Sequence, residues 1–173
     1  MKTLIYIHGL GSNRNSRKFQ NLKEYFGNTF SYDFLEWVPD MNISDSIHQM
    51  ALKYAGEDVI LVGDSTGANF AYQLRESIRR LGGNTVLILT SPLLDINNRI
   101  ADFDFPQELI PQLWKIENPE DALIIATRTD EILNQEILLN KKLNNVKCVE
   151  VNDGHRLENF HTYLPEIKKY IIT

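Results

Sequence analysis

The chain has 173 residues, 43% of them hydrophobic and 24% charged, with a formal net charge of −5. That length suits one domain with a sizeable core. The acidic balance gives no footing for nucleic acid, which needs a clustered basic face. A single cysteine, Cys148, excludes an internal disulfide framework. Its place in the apolar run "VKCVEV" predicts a buried, inert thiol.

In chain order, short apolar runs alternate with helix-length periodic segments. "MKTLIYIHGL" lacks the long apolar stretch and cleavage site of a secretory signal, and no run reaches the roughly 18 residues of a membrane span. A cytoplasmic protein that binds no membrane is expected. The runs at 3–7, 29–35, 58–63, 85–90, 121–127 and 146–151 read as strands, four of them apolar nearly throughout, as strands covered on both faces are. Helices are predicted near 15–26, 43–55, 67–81, 131–143 and 160–171. This repetition predicts an α/β fold, a doubly wound three-layer sandwich with a mostly parallel sheet. The chain 1–173 reads as one domain. Segment 91–120 reads as a short cap-like insertion, holding six acidic residues against Arg99 and Lys115. Its Phe103, Phe105, Leu109, Ile110 and Trp114 either line an acyl pocket or serve as core contacts of short helices.

"VILVGDSTGANFAYQL", residues 59–74, carries Gly63-Asp64-Ser65-Thr66-Gly67. A strand before and a helix after G-x-S-x-G is the setting of a nucleophile elbow, whose glycines remove collisions at a sharp turn that exposes the serine. The serine hydroxyl needs a base. Of four histidines, His155 follows the last strand at the sheet edge where Ser65 emerges. His161 suits a solvated helix start, His48 lies within a helix, and His8 is committed to the turn of "HGLG". An acid must orient the imidazole. Asp130 follows the fifth strand, with Asp153 and Asp95 as rivals, and the order Ser65, Asp130, His155 favours Asp130. Backbone N–H groups of Thr66 and Leu10 are candidate oxyanion donors. The Leu10 loop is not a dinucleotide or phosphate loop, because it lacks the third glycine and any G-K-[ST]. No cofactor or metal is called for. Arg14, Arg17 and Lys18 beyond it read as a solvated helix face that an anionic substrate group can also use.

Taken together, "LIYIHGLGSN", "GDSTGANFAYQL", the "SP" after the fourth strand, "TRTDEIL" and "NDGHRLENF" resemble the α/β-hydrolase superfamily, and within it the small capless YqiA-type bacterial esterases. The resemblance implies a minimal six-stranded parallel sheet ordered 2-1-3-4-5-6. It implies Ser65, Asp130 and His155 as a triad, Leu10 and Thr66 as oxyanion donors, and a small-molecule ester as substrate. Ala68 and Asn69 stand where many relatives have a second glycine, and Arg128 and Thr129 replace a glycine-containing approach to the acid. The expected activity is an esterase working through an acyl-enzyme and failing in acid, where its base is protonated. A thioesterase or acyltransferase with the same triad is the alternative. A non-catalytic binding protein on this scaffold and a flavodoxin-like nucleotide binder are readings of other classes. No oligomeric state follows from the residues.

Overall fold

A computed structural model describes residues 1–172. Six strands, β1 (Thr3–Ile7), β2 (Ser31–Leu35), β3 (Asp58–Asp64), β4 (Asn84–Thr90), β5 (Ala122–Ala126) and β6 (Val146–Glu150), form one parallel sheet ordered β2-β1-β3-β4-β5-β6. The sequence periodicity explains its two-sided burial. Along β1, Ile5 and Ile7 join a core with Trp37, Ile47, Phe70 and Leu74. The alternate Leu4 and Tyr6 join a second core with Phe19, Leu22, Leu164 and Ile167.

Helices α2 (Ile43–Lys53) and α3 (Thr66–Arg80) therefore cover one face, and α1 (Arg17–Phe26) and α5 (Leu164–Ile172) the other. Chain direction across the sheet reverses between β1 and β3, which creates a crevice at their carboxyl ends where such folds bind ligands. The register pairs Ile7 with Gly63, so the loop after β1 runs beside Ser65.

Four expectations need correction. The helix predicted over 131–143 shrinks to α4 (Glu136–Leu139). Residues 132–134 instead pair with 98–100, through Ile100 N–H to Ile132 O, Asn134 N–H to Asn98 O and an antiparallel bridge between Arg99 and Leu133. Cys148 is exposed, because β6 is an edge strand, although local packing still pushes its thiol pKa up. Of the basic run after β1, Arg14 and Arg17 are exposed as a solvated face should be, but Lys18 is buried. The helix predicted at 160–171 begins as a 3-10 turn, Phe160–Tyr163, that runs into α5.

Segment 91–120 holds two short 3-10 turns, Ile96–Asn98 and Ile110–Gln112, and is otherwise irregular. Polar side chains of α3 fix it. The Asn69 amide donates to the carbonyls of Leu93 (3.0 Å) and Trp114 (2.8 Å) and accepts from Trp114 N–H (3.0 Å), so it pairs with Trp114 as a neighbouring strand would. Gln73 donates to Gln112 O, and Arg75 to the carbonyls of Pro119 and Glu120. Asn69 thus has a reason absent from the elbow itself: it satisfies a buried irregular backbone. Among the described residues, no helix is long and apolar enough to cross a membrane.

Candidate active site

Ser65 sits between β3 and α3 with φ 52 and ψ −116, a backbone conformation that L-residues rarely adopt. The flanking glycines make this turn possible. A Cβ on Gly63 would stand 2.6 Å from the Ala68 Cα, and one on Gly67 would run into the carbonyl oxygens of Ile7 and His8. The strain presents the Ser65 hydroxyl to His155, whose Nε2 lies 2.9 Å from Oγ.

On its other side, His155 Nδ1 lies 2.8 Å from Oδ2 of Asp130. Asp130 is buried, and its remaining oxygen accepts the N–H groups of Ile132 (2.8 Å) and Leu133 (2.9 Å). Burial alone raises this carboxyl's pKa. The bond from His155, its charge and the two backbone donors outweigh that and hold the pKa below the ordinary value. An ionised Asp130 accepts the Nδ1 proton, which leaves the Nε2 lone pair facing the Ser65 hydroxyl.

The rivals for the acid are engaged elsewhere. Asp153 accepts from the N–H groups of Gly154, Glu158 and Asn159 and from the Tyr163 hydroxyl, which folds the loop that carries His155. Asp95 caps the turn at Asn97. His48 and His161 are exposed and contact none of these groups, while His8 is buried between Phe34 and Trp37.

Leu10 and Thr66 border the same cleft as Ser65 and His155. Neither backbone N–H donates to another group among the described residues. Leu10 occupies a turn closed by Ser12 N–H to Gly9 O, in which Gly11 has φ +74. Of the aromatic and aliphatic candidates in 91–120, Phe103 and Phe105 line this cleft. Leu109 is a core residue, and Ile110 and Trp114 are exposed away from Ser65.

The chain matches no protein-family model and no curated protein sequence. Solved structures match it over nearly its full length. The alpha/beta superfamily hydrolase from Oenococcus oeni PSU-1 aligns with TM-score 0.66 at 15% identity, over 100% of this chain and 94% of that one. The ydeN gene product from B. subtilis aligns with TM-score 0.66 at 18% identity, over 100% of each chain. Est1E from Butyrivibrio proteoclasticus, with ferulic acid bound, aligns with TM-score 0.68 at 16% identity, over 99% and 88%. The chain has the α/β-hydrolase fold.

Within this α/β-hydrolase frame, several side chains hold His155 that the motif itself does not name. Glu131 accepts the His155 N–H (3.0 Å), and the Ser91 hydroxyl donates to the His155 carbonyl (2.8 Å). Arg17 donates to three successive carbonyls just beyond it, of Arg156 (3.0 Å), Leu157 (3.1 Å) and Glu158 (2.7 Å). Thr127 and Thr129 both donate to the Asp153 carbonyl, which ties the Asp130 loop to the His155 loop. Arg128 turns away and forms a two-pronged pair with Glu150. The serine of "SP" was the one sequence signal for these contacts, since the others join residues far apart in the chain.

Proposed function

We propose that this chain is a serine hydrolase of small carboxylic esters, with Ser65 as nucleophile, His155 as general base and Asp130 as the acid that orients it. The observation that carries this reading is the hydrogen-bonded line from Ser65 Oγ through His155 (2.9 Å) to Asp130 (2.8 Å), mounted on a strained strand-to-helix turn. His155 Nε2 takes the Ser65 proton as Oγ attacks the ester carbonyl carbon. Negative charge then gathers on the carbonyl oxygen, where the Leu10 and Thr66 N–H groups donate. Collapse expels the alcohol, which takes the proton back from His155. Water, activated by the same imidazole, then releases the acid and restores Ser65. The ferulic acid bound to Est1E is a carboxylic acid, the class of product such a reaction releases.

Two measurements test the proposal. Wild-type protein should be labelled by a fluorophosphonate probe and should hydrolyse p-nitrophenyl acetate and its longer acyl homologues. Ser65→Ala should lose both properties. Labelling that survives in Ser65→Ala overturns the assignment of the nucleophile.

A further inference from the structure

Ser65 borders two clefts of opposite character. One, of about 440 Å³, is walled mainly by Leu93, Phe103, Phe105, Ile132 and Leu133, with Arg99 and Glu131 also bordering it. The other, of about 370 Å³, is walled by Gly9, Gly11, Ser12, Ser16, Arg17 and Lys18. Leu10, His155 and Arg156 line both.

The charges of the polar cleft do not cancel. Lys18 is matched by Asp64 at 2.5 Å, and Arg17 by Glu158 at 3.4 Å. Arg156 is exposed, and its side chain makes no ion pair or hydrogen bond to any described residue. Neither nearby carboxylate forms an ion pair with it: Glu131 accepts the His155 N–H, and Glu158 faces Arg17. Meanwhile the Arg156 backbone is fixed, because its carbonyl accepts from Arg17. A chain of net charge −5 therefore keeps, in this polar cleft, a guanidinium without an ion pair beside Ser65 and His155. The Ser12 hydroxyl, also without a partner among the described residues, borders the same cleft.

We infer that Arg156 binds one carboxylate of the substrate, so that the preferred ester carries a free carboxylate on one side of the scissile bond and an apolar group on the other. This rests on Ser65 being the nucleophile. The planar guanidinium fork matches a carboxylate with two parallel N–H donors. Within the polar cleft, this one unmatched positive charge suits a monoanion better than a dianionic phosphate monoester. The apolar group fills the cleft of Phe103 and Phe105.

Calorimetry on Ser65→Ala protein tests the binding without depending on turnover. Monohexyl succinate, with its carboxylate free, should bind about tenfold tighter than hexyl methyl succinate, in which it is capped. Adding Arg156→Gln should bring that ratio to within about twofold of unity, and Arg156→Lys should keep part of it. Equal affinities in the starting protein, no measurable binding of either ligand, or an undiminished ratio in Arg156→Gln each overturn the inference. Wild-type turnover separates the two failures. Hydrolysis of both esters without preference condemns the carboxylate site alone. A binding preference with neither ester hydrolysed supports that site and condemns the reading of Ser65.

Discussion

Lys18 is buried against Asp64, the residue immediately before Ser65, with Nζ 2.5 Å from Oδ1. The Thr90 hydroxyl donates to the same oxygen at 2.8 Å. The pair pins α1 to the end of β3, under the strained turn. Removing one partner leaves a desolvated charge unmatched, which costs about 3–5 kcal/mol. Lys18→Met should lose that much in urea unfolding, and Lys18→Met with Asp64→Asn should recover part of it. A Lys18→Met protein as stable as wild type would show that the pair adds nothing.

This pair also marks how far the sequence could be read. The six strands were legible because each lies against helices or a neighbouring strand and keeps its apolar pattern. The elbow was legible because its glycines, serine and flanking elements are local. Lys18 was not, because its partner lies 46 residues further on and a basic cluster after a strand ordinarily faces water. The long helix expected at 131–143 failed for the same reason. Asp130 caps Ile132 and Leu133 outside helical geometry, and residues 98–100 pair with the following stretch. Cys148 misled because an apolar run does not say whether its strand is central or at the edge. Asp130 was separable from Asp153 by chain order alone; the physical distinction, that Asp153 spends its oxygens on its own loop, needed three dimensions.

Asp130 offers a direct test of that choice. With its pKa held below the ordinary value, it stays ionised throughout the neutral range and fixes the His155 tautomer. Asp130→Asn removes the acceptor for the Nδ1 proton, and kcat should fall by about 10⁴-fold. Asp95→Asn, whose side chain caps the turn at Asn97 and lies 3.9 Å from Lys115 Nζ, away from Ser65, should stay within about twofold of wild type. Esterase assays on the two variants decide the matter, and equal losses would refute the assignment.

Arg17 should affect catalysis without touching substrate chemistry. It holds the carbonyls of residues 156–158, where Leu157 is kept at φ 48 although it is a bulky residue in full burial. Without that clamp the backbone can relax and carry the imbedded His155 ring away from Ser65. Arg17→Ala should lower kcat by about 10–100-fold, the scale of a misplacement near 1 Å, with a smaller change in KM. Lower thermal stability with kcat unchanged would assign Arg17 a purely structural role.

Asn69→Ala leaves the N–H and C=O of Trp114 and the carbonyl of Leu93 without their side-chain partner. Each buried group left unsatisfied costs about 1–3 kcal/mol, so a total loss of about 2–4 kcal/mol is expected after partial relaxation. Amide hydrogen exchange should quicken at Trp114 more than in β4 or β5. Unchanged protection at Trp114 would mean that the segment is held by other contacts.

His8 makes stability depend on pH in a direction that can be worked out. Its ring stacks between Phe34 and Trp37, with Nδ1 2.8 Å from Gly9 O and Nε2 accepting the Trp37 N–H at 3.2 Å. Both nitrogens are satisfied in the neutral form, and a second proton would have to displace the Trp37 N–H. Burial lowers the His8 pKa in the folded protein from the ordinary value of 6.5. Between that lowered value and 6.5, the unfolded chain binds a proton that the folded chain excludes. Stability therefore rises with pH through this window and levels off above it, with a slope of at most about 1.4 kcal/mol per pH unit for one proton. Urea midpoints measured from about pH 5 to 7.5 should climb in wild type. His8→Gln cannot take up this proton, so its profile should be flatter by that one-proton contribution, whatever stability it loses from the missing stack. Identical slopes in the two proteins would mean that His8 titrates alike folded and unfolded.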